Sequence, residues 1–478
     1  MNILHLSAEC YPAAKVGGLA DVVGALPKYL NKRKVNASVL MPKYGNEWMK
    51  NHSFETVYEG NAPLGENKFK FKIQKGENIA LGYPLYVIDI PGRFDRPGIY
   101  SETETGCSFD DTFERFLSFQ IAALDWVKSM SDQPDIIHCH DHHMALLPFM
   151  ISRSNRYQLI AQIPTVLTVH HAQYHGRFEL QKTALLPDFD SKHRGLLEWD
   201  RQLNCLAAGL KCCWQISTVS PSYMQQLSEQ SNGLEWLFEN EQQKSRGILN
   251  GIDTAVWDPD SDSLIAQQFN DDTIAEGKLA NKKALSRRAG FDLQYPLISY
   301  IGRLAHEKGA DLLPDLFALF LSAKQPVNIL LLGTGDRELH NQFEKLNRQY
   351  PDYFHAELDY NETLAHQIYA GSDFLVMPSR VEPCGLNQMY AMQYGTVPIV
   401  RNTGGLKDTV IDLNQPDGYG ITFDEFTLEA AEQALWRALD LYQKDEQIAN
   451  LRPRIMGLDF SWNASANDYI KMYSALIE

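Results

Sequence analysis

Along the chain, short apolar runs rich in β-branched residues alternate with longer stretches whose apolar positions recur every three or four residues. Runs of the first kind suit strands buried on both faces, and stretches of the second suit amphipathic helices, so the alternation predicts parallel α/β layers. In the first half the expected strands cover residues 3–7, 39–41, 85–90, 136–139, 166–170 and 216–219. The clearest helix spans 111–130, where Phe113, Phe116, Leu117, Ile121 and Leu124 return at helical spacing. Lys68, Phe69, Lys70, Phe71, Lys72 and Ile73 alternate strictly, which predicts a half-exposed antiparallel strand.

An acidic stretch around Asp258, Asp260 and Asp262 reads as a connection, and a second alternation follows it. Its strands are expected at 297–301, 327–332, 374–377 and 397–400, with helices between them. Two open α/β sheets in tandem would face a central cleft lined by loops at the carboxyl ends of strands. No short-period repeat of the solenoid kind is evident.

With 44% apolar residues, the 478-residue chain has the ordinary content of a folded protein and length for two or three domains. Its 44 Lys and Arg against 60 Asp and Glu leave a formal charge of −16, which argues against general nucleic-acid binding because phosphate backbones attract basic faces. A small phosphorylated ligand needs only local positive charge and stays possible. No apolar run approaches bilayer length, and the N-terminal residues form neither a basic segment nor a long apolar one. Seven scattered cysteines without C-x-x-C spacing predict no disulfide framework, so the cytoplasm is the expected compartment and no membrane is expected as a partner.

Chemistry-bearing residues concentrate where expected strands end. Lys15, Gly17, Gly18 and Asp21 follow the first strand and open a helical pattern, an arrangement that can offer backbone N–H groups and a cation to an anion. The alternative is an ordinary βα turn. Arg303 and Lys308 lie in a loop that superficially resembles a phosphate-binding P-loop, but Glu307 stands where that loop needs glycine. Two cations at a strand end can still clamp a diphosphate; otherwise the segment is a solvated basic turn. The Gly333, Gly335 pair begins like a dinucleotide fingerprint, yet Glu338 replaces the third glycine, which disfavours a nicotinamide enzyme.

His138, Cys139, His140, Asp141, His142 and His143 form the densest cluster. His138 and His140 share one strand face and invite a zinc reading, but Asp141 comes one residue too early for the H-x-H-x-D-H pattern of metallo-hydrolases and no remote ligand stands out. A polar strand-end loop is the competing reading. Thr168 to Gly176 ends another strand with hydrogen-bonding groups suited to sugar hydroxyls. Glu382, Cys384, Gly385, Leu386 and Asn387 follow the strand at 374–377 and lead into a helix, and Gly404, Gly405 repeat the Gly-Gly-helix theme after the next strand.

Taken in order and spacing, these segments resemble the bacterial glycogen synthase and plant starch synthase family over nearly the whole chain. The family's K-x-G-G-L falls at Lys15 to Leu19, H-x-H-D at His138 to Asp141, T-V-H at Thr168 to His170 and N-G-x-D at Asn250 to Asp253. R-L-x-x-x-K-G falls at Arg303 to Gly309, E-P-C-G-L at Glu382 to Leu386 and T-G-G-L-x-D-T-V at Thr403 to Val410. The resemblance implies a two-domain GT-B glycosyltransferase, with a Rossmann-like acceptor-side domain over 1–250 and a nucleotide-sugar-binding domain over 251–457. The segment 458–478 resembles the family's last helix, which crosses back to the first domain.

The implied activity is transfer of glucose from ADP-glucose to the non-reducing end of an α-1,4-glucan, with retention of configuration and no cofactor. Cleaving the anomeric C–O bond places charge on the departing diphosphate and makes the sugar oxocarbenium-like. By the resemblance, Arg303 and Lys308 hold the phosphates, with Lys15, the Gly17 and Gly18 amides and the Leu386 and Asn387 amides completing the cradle. Glu382 and His170 position the glucosyl ring, Asp141 lies near the acceptor, Asn250 near the 6-hydroxyl, and Tyr360 stacks on the base. A leaving phosphate that helps deprotonate the acceptor fits better than a carboxylate nucleophile, and domain closure is expected to expel water. Val16, His142, His171 and Asn387 depart from the family's commonest residues, which leaves donor preference and acceptor fit open, and Tyr390 fills the place where many related transferases carry a second Glu. Competing readings are a UDP-glucose-using synthase, a metal-dependent hydrolase and a non-catalytic glucan-binding protein. Oligomeric state is not legible.

Overall fold

A parallel strand buried on both faces needs a run rich in apolar residues, and the runs Ile3 to Leu6, Ile136 to His140 and Thr165 to Val169 are buried at every position, their histidines and threonines included. The computed structural model describes residues 1–96, 98–102, 107–323 and 325–477. The chain divides into two units, Met1–Ile248 with Trp462–Glu478, and Leu249–Ser461. Glu478 itself lies outside the described residues.

Among the described residues of the first unit, nine strands form one sheet: β1 (Asn2–Leu6), β2 (Asn36–Pro42), β3 (Phe54–Leu64), β4 (Asn67–Gly76), β5 (Leu85–Asp89), β6 (Ile136–His140), β7 (Thr165–Val169), β11 (Gln215–Thr218) and β12 (Ser245–Gly247). Between β7 and β11 the short strands β8 (Arg177–Phe178), β9 (Glu198–Trp199) and β10 (Gln202–Asn204) make a separate small sheet. The large sheet runs β12-β11-β7-β6-β1-β2-β5-β4-β3. Its strands are parallel except for β4, which pairs antiparallel with both β3 and β5. The strictly alternating segment is therefore antiparallel as expected, with Phe71 and Ile73 buried and the lysines exposed.

Helix Gly18–Lys32 covers β1 with Val22, Leu26, Tyr29 and Leu30. Helix Trp462–Ile477 adds Trp462, Ala466, Tyr469 and Tyr473 to the same core, spaced to share one helical face. Arg33 fastens the two helices by donating to Asn463 at 2.7 Å and Asn467 at 2.8 Å. Helix Thr112–Ser129 is buried nearly all round, and even Arg115 is inside, donating to the carbonyls of Arg93 and Ile99.

The described residues of the second unit carry six parallel strands: β13 (Leu297–Ile301), β14 (Asn328–Leu332), β15 (Phe354–Glu357), β16 (Phe374–Met377), β17 (Val397–Arg401) and β18 (Ile421–Phe423). Their order, β15-β14-β13-β16-β17-β18, is the doubly wound dinucleotide-domain order, which reverses between β13 and β16. β15 escapes the sequence pattern because His355 and Glu357 interrupt its apolar positions, and β18 because it is only three residues long.

The division falls after Ile248, two residues before the sequence boundary at 250, and the return begins at Trp462 rather than 458. Asn250 belongs to the second unit because its backbone N–H meets the Cys384 thiol. Residues up to Ser461 stay there because Ile252 donates to the Phe460 carbonyl at 2.8 Å and bridges to Ser461. Among the described residues, no helix is long and apolar enough to cross a membrane.

Candidate active site

In open α/β sheets the strand order reverses at one point, and the loops leaving the two flanking strands diverge there to form a crevice. In the second unit those loops are 302–309 after β13 and 378–387 after β16. The first contains Arg303 and Lys308; the second contains Glu382, Cys384, Gly385, Leu386 and Asn387. Lys308 Nζ lies 2.6 Å from Glu382 Oε1, and Ser379 Oγ donates to Glu382 Oε2 at 2.9 Å. Arg303 pairs with Glu307 Oε1 at 2.6 Å but keeps just over half of its side chain exposed.

The backbone between these groups is tightly specified. The Glu307 carbonyl accepts from the N–H groups of Arg380 and Val381, at 2.9 and 3.1 Å, tying the two loops together. Gly309 has φ +65°, and a Cβ there would lie 2.1 Å from the Pro378 carbonyl oxygen. Only glycine lets the loop turn back under the second loop after Lys308. Gly405 sits against the Cys384 backbone and donates to the Glu382 carbonyl at 3.0 Å. Asn387 donates its amide to the Ile301 carbonyl at 2.7 Å, so its side chain anchors the loop to β13. The Gly333, Gly335 loop packs against the Arg303 loop instead of forming a fingerprint: Leu304 donates to the Thr334 carbonyl at 2.9 Å. Asn250 brings a buried Oδ1 with no hydrogen-bond partner among the described residues. Tyr360 is 67% exposed at the start of helix Glu362–Gly371 and donates to Glu362 at 3.3 Å.

In the first unit the order reverses between β1 and β6, so the loops that start at Ser7 and Asp141 flank the corresponding crevice. Gly17 caps helix Gly18–Lys32, and Lys15 pairs with Asp21 at 2.7 Å. The amides of Val16 and Gly17 donate to Glu9 Oε2 at 2.5 and 3.0 Å, while Tyr100 donates to Glu9 Oε1 at 2.6 Å. The Gly17 amide, expected to face an anionic ligand, thus meets a carboxylate of its own chain. Burial pushes the Glu9 carboxyl above its usual range despite these donors.

Asp141 holds φ +57° with ψ −179°, a conformation that non-glycine residues adopt only when the surroundings enforce it. The enforcing contact is its Oδ1, which accepts the His170 N–H at 2.7 Å across the β6–β7 pair. Burial raises the Asp141 carboxyl to about 7, partly offset by backbone donors from His170 and His171. His138 and His140 do share one face, their rings 4.3 Å apart. A remote histidine that sequence reasoning missed, His5 on β1, joins them, with ring nitrogens of the three within 4.8 Å of one another. Both ring nitrogens of His138 and of His140 are already committed, however. His138 contacts Tyr473 Oη at 2.7 Å and Thr168 Oγ1 at 2.5 Å, while His140 lies between His5 at 3.1 Å and His170 at 3.0 Å. A metal ligand must turn a free lone pair toward the ion, so zinc would have to displace several of these contacts.

Residues 2–240 match the family described as starch synthase catalytic domain, and residues 281–451 match glycosyl transferases group 1. A glycogen synthase of Flavobacterium johnsoniae is 46% identical over the full length of both chains. The chain belongs to the glycogen and starch synthase family. A glycogen synthase of Bacillus anthracis is 37% identical, again with both chains wholly covered. Among solved structures, the catalytic domain of starch synthase IV from Arabidopsis thaliana, bound to ADP and acarbose, superposes with a TM-score of 0.88 at 30% identity, covering 100% of this chain and 99% of that one.

Membership of the glycogen and starch synthase family makes the chain a glycosyltransferase of the GT-B fold, with the two sheets as its two Rossmann-like domains. Within the second unit, Arg303, Lys308, Glu382, Cys384 and Asn250 are brought into one neighbourhood of interlocked loops. Within the first, His170 and Asp141 are directly bonded. Sequence reasoning missed Glu9, Tyr100 and His5, and read Glu307 only as the residue that breaks a P-loop. Glu9 could have been suspected as an acidic residue just past a fully buried strand. His5 carries a weaker signal, a histidine inside an otherwise apolar strand.

Proposed function

We propose that this protein transfers glucose from ADP-glucose to the non-reducing end of an α-1,4-glucan with retention of configuration. The observation that carries this reading is the convergence of Arg303, Lys308 and Glu382 at the switch point of a doubly wound sheet, where such sheets bind nucleotides. The presence of ADP and acarbose in the related Arabidopsis domain supports a nucleoside diphosphate leaving group and a glucan acceptor.

As the anomeric C–O bond breaks, negative charge gathers on the diphosphate and positive charge on the ring. Arg303 and Lys308 stabilise the former, fixed in place before the reaction so that little reorganisation is needed. Within the second unit the Leu386 and Asn387 amides extend the cradle; within the first, Lys15 and the Gly18 amide offer positive charge to a phosphate, and Gly17 shapes the turn, with its amide held by Glu9. Lys308 keeps Glu382 oriented, and Glu382 accepts from the sugar hydroxyls. His170 and Asn250 contact the glucosyl ring, Asp141 organises the His170 loop beside the acceptor, and Tyr360 stacks on the base. The departing phosphate takes the proton of the attacking hydroxyl on the same face, which preserves configuration without a carboxylate nucleophile. The reaction is assigned to the cytoplasm, in keeping with six buried cysteines that form no disulfide among the described residues.

The test is a matrix of labelled donors and acceptors. With ADP-glucose and maltooligosaccharides, the enzyme should lengthen the chains and release ADP. Extension from UDP-glucose alone overturns the donor assignment, and binding of glucan without transfer from either donor overturns the enzyme reading.

A further inference from the structure

His5, His140 and His170 form an unbroken chain of buried imidazoles through the first unit. His5 Nδ1 lies 3.1 Å from His140 Nε2, and His140 Nδ1 lies 3.0 Å from His170 Nε2. His5 and His140 are wholly buried, and His170 is 8% exposed. Burial depresses His5 and His170 to about 3 and drives His140 well below its usual value, so all three rings are neutral and each carries one N–H.

A neutral ring that donates through one nitrogen must accept through the other, so the chain has only two proton arrangements. They differ at its far end. If His140 donates toward His5, then His5 must carry its proton on Nε2, a buried atom with no hydrogen-bond partner among the described residues. If His5 donates instead, that orphaned atom is a bare lone pair. Buried N–H groups without an acceptor are rarer in proteins than unsatisfied acceptors, which selects the second arrangement. Protons then sit on Nδ1 of His5, of His140 and finally of His170.

We propose that His5 and His140 are positioning residues that lock His170 as its Nδ1–H tautomer, so that His170 offers a fixed donor to an oxygen of the sugar substrate. The second anchor is the His170 backbone, whose N–H is held by Asp141 at 2.7 Å, so both the position of the ring and its proton are set before substrate arrives. Neighbouring His138 does not compete, since its nitrogens are engaged by Tyr473 and Thr168.

The donor role rests on the glucan synthase reading, whereas the tautomer does not, and two experiments keep them apart. Neutron diffraction from deuterated crystals of the unliganded full-length enzyme should place deuterons on Nδ1 of His140 and His170; a deuteron on His170 Nε2 overturns the proposal whatever the enzyme catalyses. In kinetics, His140→Asn keeps an amide N–H able to donate to His170, whereas His140→Met offers only a weak sulfur acceptor. His140→Met should lower kcat/KM for the nucleotide sugar roughly ten- to hundredfold, while His140→Asn stays within about threefold of the parent enzyme. Equal losses in variants with equal thermal midpoints, or no loss in either, overturn it. Should the parent enzyme transfer no glucose, the functional reading fails and the neutron result still decides the tautomer.

Discussion

Replacing Lys308 with methionine keeps the apolar stem and removes the ammonium, leaving Glu382 inside the protein without its cation. At the observed 2.6 Å, and with an effective dielectric of about 20, the lost attraction is about 6 kcal/mol before desolvation is counted. Much of that is already cancelled by the cost of burying the two charges. Removing one partner of a buried pair typically costs about 3–5 kcal/mol. The Lys308 side chain is 26% exposed and Glu382 retains the Ser379 hydroxyl, which lowers the expected loss to about 2–3 kcal/mol. Adding Glu382→Gln removes the stranded charge and should restore about half of it. Stability is read by urea unfolding, and turnover by ADP release with maltooligosaccharide. Turnover should fall by roughly two to three powers of ten in Lys308→Met and remain low in the double variant, since neither can neutralise the leaving diphosphate. Arg303→Ala should lose turnover comparably with a smaller loss of stability than Lys308→Met, because more than half of the Arg303 side chain is already in water. Near-normal turnover in Lys308→Met refutes the phosphate clamp. A double variant as unstable as the single one refutes the account of the ion pair.

Two further outcomes follow from the backbone and from burial. Gly309→Ala should destabilise the fold by at least about 2 kcal/mol, combining left-handed backbone strain with a clash at the Pro378 carbonyl, and thermal unfolding measures it. Asp141 is held at about 7 in the fold against an ordinary value near 3.8, so the folded chain keeps a proton that the unfolded chain has released. That group therefore favours folding at low pH and withdraws up to about 1.4 kcal/mol per unit as pH rises from about 4 to 7. Asp141→Asn still accepts the His170 N–H but has nothing to ionise, so its stability relative to the parent should climb across that window and level off above 7. Parallel stability curves would show that Asp141 ionises normally.

Much of the scaffold can be read along the chain because its causes are local. A parallel strand shielded by helices on both sides is rich in apolar residues, so β1, β6, β7, β13 and β16 announce themselves despite the polar side chains some of them carry, and the chemistry-bearing loops follow directly at their ends. The same reasoning excluded a P-loop at Glu307 and a dinucleotide fingerprint at Glu338, since each departure puts a side chain where only glycine fits. The terminal helix Trp462–Ile477 likewise shows its buried face through the spacing of Trp462, Ala466, Tyr469 and Tyr473.

Tertiary structure alone decided which of these loops meet and what their charges bind. Strand order is a matter of pairing between segments far apart in sequence, and no local period encodes that β16 lies beside β13 or β6 beside β1. From the first adjacency comes the Lys308–Glu382 pair, from the second the meeting of His5 with His140, and from that of β6 with β7 the junction of Asp141 with His170. The partnership of Asn250 with Cys384 and the line from His5 to His170 likewise join segments far apart in sequence, whereas the carboxylate of Glu9 in the Val16 and Gly17 amides closes within one loop. Each is a hydrogen bond whose energy depends on angle and distance within a few tenths of an ångström, and such proximity exists only after the sheet has been assembled.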